Sequence, residues 1–156
     1  MNVALVVYSA TGNTRKVANQ LKAELETKGN AVEYLEIKPL CDPKEAVNID
    51  FNKLFDLSFY DMLIFGSFVE AFTLNKCMRE YLKMMPRLDG KKAVMLTTQQ
   101  FPKKWMGGNQ ALKKMKSLLE EKGAQVLGGE DINWRKDEDG RQERIDFAVG
   151  KIADMI

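Results

Sequence analysis

Six consecutive positions, Ser9-Ala10-Thr11-Gly12-Asn13-Thr14, hold three hydroxyls, one amide side chain and one glycine. They stand between the apolar run at residues 3–8 and a helical period that begins at Val17. Glycine and small side chains let a backbone approach a ligand closely, and the first N–H groups of a helix are unpaired donors reinforced by about half a positive charge. The chemistry such a loop suits is anion binding: backbone N–H groups from Ala10 to Thr14 and the hydroxyls of Ser9, Thr11 and Thr14 converging on a phosphate. A triphosphate loop of the form GxxxxGK[ST] is not present, because no lysine follows Gly12 at the required place. A dinucleotide GxGxxG loop needs more glycines than this one, and a phospho-acceptor receiver needs acidic residues where Ser9 and Ala10 stand. A Ser/Thr-rich helix cap without a ligand remains open at this point.

The rest of the chain narrows the chemistry further. There is no histidine, so His-based triads are excluded and the commonest metal ligand and neutral-pH base are missing. Cys41 and Cys77 are far apart and form no CxxC pair, which gives metal or dithiol chemistry little support. No metal site is expected.

Elements that can position the loop follow from periodicity. Residues 3–8, 62–65 and 93–96 are short, continuous apolar runs, as in strands covered on both faces. "AVEYLEI" at 31–37 carries Glu33 and Glu36 and suits an edge strand, and "AQVLGG" at 124–129 makes a fifth. Helical spacing recurs at Val17, Ala18, Leu21 and Leu25; at Leu74, Met78, Tyr81, Leu82 and Met85; at Leu112, Met115, Leu118 and Leu119; and at Ile145, Ala148, Val149 and Ile152. Gly29 and Gly123 are the expected helix stops, a weak helical turn is expected over 52–57, and "KDEDGRQE" at 136–143 is expected as a surface turn. Alternation of strand and helix predicts an α/β fold with a parallel sheet, covered by helices on both faces through right-handed crossovers.

Composition agrees: 156 residues with 45% hydrophobic and 29% charged side chains suffice for one domain, residues 1–156, with a real core. No apolar run approaches the ~20 residues of a membrane span, and no basic segment precedes an apolar signal core, so the expected location is cytoplasmic. The net charge is +2, yet residues 76–122 hold twelve Lys/Arg against four Asp/Glu. That segment is either a set of solvated helix surfaces or a positive face for an anionic partner.

"SATGNT" at 9–14 is similar, position for position, to the [ST]-x-T-G-x-T phosphate loop of flavodoxins, and the whole chain resembles their element pattern, in the short-chain form. The resemblance implies a flavodoxin-like three-layer αβα sandwich. Its five-stranded parallel sheet would have the order 2-1-3-4-5, for which flavodoxin is itself the reference case, with FMN at the strand-order switch. It implies that Ser9, Ala10, Thr11, Gly12, Asn13 and Thr14 hold the FMN phosphate. Arg15 is expected to face solvent. The flavin ring is then expected between the segments after the third strand (Ser67, Phe68, Val69, Glu70) and after the fourth (Thr98, Gln99, Gln100, Phe101, Trp105, Gly107). Of the aromatic residues Phe68, Phe72, Phe101 and Trp105, Trp105 is the first candidate for stacking on the ring, followed by Phe101.

Two departures from the family bear on function. Electron-carrying flavodoxins are strongly acidic and this chain is slightly basic, so its partner surface is expected to differ. They often place a glycine in the second loop, where a peptide flips toward the reduced ring; Phe68-Val69-Glu70-Ala71 has none, and positive φ is costly there, so weak stabilisation of the one-electron-reduced ring is expected. Glu70 would lower the potential or simply face water, while Lys103 and Lys104 could favour a reduced anion or an NADPH phosphate. The expected function is FMN-based electron transfer, with redox proteins or NAD(P)H as partners, no nucleic acid and no membrane, and the chain a monomer or weak dimer. An NAD(P)H-dependent FMN oxidoreductase and a non-redox binding module on the same fold are the alternatives.

Overall fold

The computed structural model describes residues 1–135 and 140–156. Strands β1 (Asn2–Val7), β2 (Ala31–Glu36), β3 (Met62–Glu70), β5 (Lys92–Gln99) and β6 (Gln125–Asn133) form one parallel sheet in the order β2-β1-β3-β5-β6, and a two-residue strand β4 (Thr73–Leu74) pairs antiparallel with β3. Discounting β4, this is the expected 2-1-3-4-5 order. Helices α1 (Asn13–Thr27) and α4 (Arg141–Ala153) cover one face, while α2 (Lys76–Met84) and α3 (Gly108–Glu121) cover the other.

β1 shows why continuous apolar runs are needed. Val3, Leu5 and Val7 pack toward α1 and α4 against Leu21, Ile64 and Val149, while Ala4 and Val6 pack toward α2 and α3 with Phe65, Tyr81 and Met115. Every residue of this strand after Asn2 is buried, so a polar side chain on either face would lose water without gaining a partner. Gly29 and Gly123 end α1 and α3 at φ 86° and 93°, the left-handed conformation expected of helix stops.

Four expectations about elements need correction. The third strand does not stop at residue 65 but runs to Glu70 and folds back into β4, so Leu74, expected in the helix, lies in a strand. The final strand is Gln125–Asn133 rather than 124–129. A register shift opposite Ala93 and Val94 carries it on to a longer pairing, and Gly129 sits so close to β5 that a Cβ there would lie 2.8 Å from the Met95 Cβ. No helical turn forms over 52–57: Phe51 bridges Pro39, Leu57 is buried, and the Phe55 N–H donates to the Tyr81 hydroxyl at 3.1 Å, tertiary contacts that hold the segment out of a helix. Of the segment 136–143, expected as a surface turn, residues 136–139 are outside the described residues, while 141–143 are the first turn of α4 instead.

Candidate functional site

The six-residue loop emerges at the C-terminal end of β1, where β1 has β2 on one side and β3 on the other, and connections leave toward opposite faces. Gly12 adopts φ 95° as the residue preceding α1, and a Cβ on it would meet nothing within 4 Å, so the space above the loop is open. Two of the three hydroxyls turn inward. Ser9 Oγ accepts from the N–H groups of Gly12 at 3.1 Å and Arg15 at 3.3 Å, and Thr14 Oγ1 pairs with Thr98 Oγ1 at 2.8 Å in the interior. Thr11 faces outward, and Asn13 is partly exposed.

This arrangement leaves donors for an anion. Gly12, which precedes α1, has no side chain to cap it, and among the described residues the backbone N–H groups of Thr11, Asn13 and Thr14 have no hydrogen-bond partner. Ser9 uses its oxygen as an acceptor, and its hydroxyl proton still needs one. Three free amides, the outward Thr11 hydroxyl and the positive end of the α1 dipole match a phosphate without a lysine in the loop. Arg15 is exposed as expected and pairs with Glu36 on the edge strand.

Beside the loop lies a cavity of about 170 Å³ whose walls include Thr11, Asn13, Thr14, Phe68, Thr98 and Gln100. The ends of three strands meet there, and of the segments 9–14, 67–70 and 98–100 they bring Thr11, Asn13, Thr14, Phe68, Val69, Thr98, Gln99 and Gln100 to its wall. Trp134 also lines it and has no counterpart in the sequence-based expectation. The extended β6 delivers this residue: its N–H donates to the Gln99 carbonyl at 2.6 Å, and its buried ring lies 5.0 Å from the Arg141 guanidinium and 5.9 Å from the Lys16 ammonium. Only a reading that carried the strand past Gly129 could have found it. A second cavity of about 330 Å³ shares Thr11 and Phe68 with the first and reaches Tyr8, Asp42, Lys44, Glu70 and Cys77. Burial pushes the Tyr8 hydroxyl and the Cys77 thiol each up to about 12, so both stay protonated at neutral pH.

The segment after β3 is a tight hairpin rather than an open loop. Val69 pairs with Leu74 and Glu70 with Thr73, so the turn is Ala71-Phe72, at φ 49° and 63°. Both central residues therefore adopt the left-handed conformation that two-residue hairpins demand, without the glycine or asparagine that usually supplies it. Ala71, one of the four residues at which positive φ was expected to be costly, adopts it nevertheless, because strand pairing on both sides enforces the turn. At the hairpin base Ser67 Oγ donates to the Tyr8 carbonyl at 3.1 Å. Asn75 caps α2 through Met78 N–H and donates to Ser67 and to the Phe68 carbonyl.

The segment after β5 closes the other side. Phe101 stacks on Phe72 with ring centroids 5.0 Å apart and planes at 18°, joining hairpin and loop. Trp105 sits in a short 3-10 turn, Lys104–Met106, and points into solvent rather than toward the cavity walls. Gly107 precedes α3 at φ 131° with its Cα against the hairpin. Beneath the loop, buried Asp131 accepts from Thr97 Oγ1 at 2.7 Å and from Gln99 Nε2. Desolvation raises its carboxyl above the usual range, opposed by those two hydrogen bonds. The structure thus brings Thr11, Asn13, Thr14, Phe68, Val69, Thr98, Gln99 and Gln100 around one cavity; Ser9 and Ser67 lie beneath as scaffold, and Phe101, Trp105 and Gly107 form the outer rim.

A family model described as a flavodoxin domain matches residues 5–132. No curated protein sequence matches the chain. Among solved structures, flavodoxin 2 from Bacillus cereus in its oxidised form is 21% identical, with a TM-score of 0.69 over 99% of each chain. A flavodoxin from Streptococcus pneumoniae is 18% identical, with a TM-score of 0.69 over 99% of this chain and 97% of that one. The two-electron reduced flavodoxin of Megasphaera elsdenii is 21% identical, with a TM-score of 0.65 over 96% of this chain and 98% of that one. At these identities the structural likeness carries the fold.

Proposed function

The chain belongs to the flavodoxin domain family, and from that membership we propose that it binds FMN noncovalently and carries electrons. The observation that supports this reading is the junction of the loop with α1, where three amides are unpaired and Thr11 opens onto a cavity walled by the ends of three strands. Residues 11–14 would hold the phosphate, while Phe68, Thr98, Gln99 and Gln100 would line the path of the flavin moiety. Bound FMN supplies the capacity for reversible one- and two-electron redox chemistry. The protein's part is to orient it and shape its surroundings. Aromatic and backbone groups exclude water from one side, and Tyr8 and Cys77, both protonated at neutral pH, add no charge beside it.

Titrating apoprotein with FMN, followed by quenching of flavin fluorescence and by calorimetry, tests the reading. Saturable one-to-one uptake that Thr11→Glu weakens at least about tenfold is expected, because a carboxylate would then face the phosphate among its donors. Absence of uptake would overturn it, and uptake of inorganic phosphate alone would favour a non-redox module.

The second cavity, of about 330 Å³, supports one alternative, an NAD(P)H-dependent oxidoreductase with a small substrate beside the ring. Anaerobic mixing of the FMN-loaded protein with NADH or NADPH separates the two. Bleaching of the flavin absorbance within seconds selects the oxidoreductase; an unchanged spectrum selects the carrier.

A further inference from the structure

At the C-terminal end of the sheet Phe72, 57% exposed, stacks on Phe101, 37% exposed, and Trp105, 67% exposed, stands four residues further along the same loop; these residues are the apolar tip. The Phe72–Phe101 stack joins two loops, and Gln110 of α3 ties itself to the Trp105 carbonyl at 3.0 Å, so the tip is continuous with the first turns of α3. Solvent-exposed rings are costly in water unless something covers them, and aromatic tips ringed by charge are characteristic of protein contacts.

The charge beside this tip is one-sided. Residues 100–117, the loop after β5 and most of α3, carry five lysines and no Asp or Glu, with Glu70 on the facing hairpin. By contrast α1 and α4 each carry three cations and two carboxylates, a near balance. Lys103, Lys113 and Lys114 are exposed, and among the described residues none of them has a carboxylate within ion-pair distance. Lys104 reaches Glu130 only at 3.8 Å, and Lys151 already holds that carboxylate at 2.6 Å. Lys113 and Lys114 lie one helical turn beyond Asn109 and Gln110, and so follow the tip along α3. Unpaired like charges on one surface repel each other and raise the local potential, a cost that an oppositely charged partner removes.

We propose that the tip formed by Phe72, Phe101 and Trp105, with the cations of the 100–107 loop and the start of α3, docks a protein bearing a carboxylate-rich face. That this partner donates or accepts electrons rests on the FMN reading above; the docking itself does not. A folded protein fits better than a nucleic acid, since exposed aromatic rings on a hairpin turn and a loop accompany the cations, the composition of protein contacts. The polarity is opposite to that of an acidic carrier meeting a basic partner.

The test uses isotope-labelled, FMN-loaded protein titrated with a plant-type ferredoxin as the acidic probe, with binding mapped by backbone amide shifts. Perturbations centred on Phe72, Trp105, Lys113 and Lys114 are expected. Raising salt to about 0.3 M should weaken the association about tenfold or more, as for any contact dominated by exposed charge. Lys113→Glu with Lys114→Glu should weaken it to a similar degree, and Lys53→Glu with Lys92→Glu, far from the tip, should leave it within about twofold. The inference is overturned by shifts centred on another face, by no salt-sensitive binding, or by an equal effect of the distant pair. It is also overturned if a short DNA duplex or vesicles containing phosphatidylserine perturb the same amides more strongly than ferredoxin. Repeating the titration with apoprotein separates the two conclusions: the lysines belong to the chain, so docking persists even where FMN uptake fails.

Discussion

Replacing Gly107 by alanine should loosen both the fold and the rim of the cofactor site. Gly107 holds φ 131°, a conformation closed to L side chains, and its carbonyl already accepts the first α3 bond from Ala111 N–H at 2.8 Å, so the backbone cannot relax freely. A Cβ there would lie 2.6 Å from Val69 Cγ1 and 3.1 Å from the Phe72 Cα. The conformational part costs about 1–2 kcal/mol. Overpacking against a paired strand and a hairpin backbone adds about 1–3 kcal/mol. With a central total of about 3 kcal/mol, a domain of this size should lose about 6–12 °C in Tm. Gly29 is the internal comparison: at φ 86° a Cβ on it would meet nothing within 4 Å, so Gly29→Ala should lose only the conformational part, centrally about 1.5 kcal/mol or about 3–6 °C. Thermal unfolding followed by circular dichroism measures both. Because the clash pushes the hairpin from the 100–107 loop, Gly107→Ala should also weaken FMN uptake and Gly29→Ala should not. Equal Tm losses for the two variants would refute the packing argument.

Asp131 makes stability pH-dependent. Its folded pKa is raised, so the folded chain binds more protons than the unfolded chain above the ordinary value of 3.8; wild-type stability falls as pH rises through that window, and Asp131→Asn, measured by urea unfolding, should flatten the fall. Thr14→Val leaves the Thr98 hydroxyl unpaired in the interior and should cost about 1–3 kcal/mol, with the Thr14→Val, Thr98→Val double variant costing less than the sum. FMN uptake by Thr14→Val should drop less than with Thr11→Glu, since the Thr14 hydroxyl is turned inward. Of the two thiols, exposed Cys41 should react at once with a disulfide reagent at pH 8, and Cys77, buried and pushed up to about 12, only after unfolding.

The parts of this molecule visible in the chain were those set by neighbours within one helical turn or one strand. Val17, Leu21 and Leu25 fall on one stripe of α1, and residues 3–7 read as a strand covered on both faces, because 3.6- and 2-residue periods are local properties. The loop at 9–14 was visible for the same reason. The hairpin at Ala71-Phe72 was not, since neither residue favours positive φ; pairing of Val69 with Leu74 imposes it. Nor was the course of 52–57, which the Tyr81 hydroxyl holds from another layer.

Residue order alone thus settled the alternation of elements, their buried stripes and the small, hydroxyl-rich make-up of the first loop, since each depends on side chains a few positions apart. Folding decided which of those groups remain free to act. Ser9 satisfies the amides of Gly12 and of Arg15 in the first turn of α1, Thr14 meets Thr98 across 84 residues, and Trp134 reaches the cavity because β6 runs past Gly129. The physical reason is that a hydrogen bond or a ring contact between distant segments depends on where the whole sheet and its crossovers place their ends, and no local period carries that information.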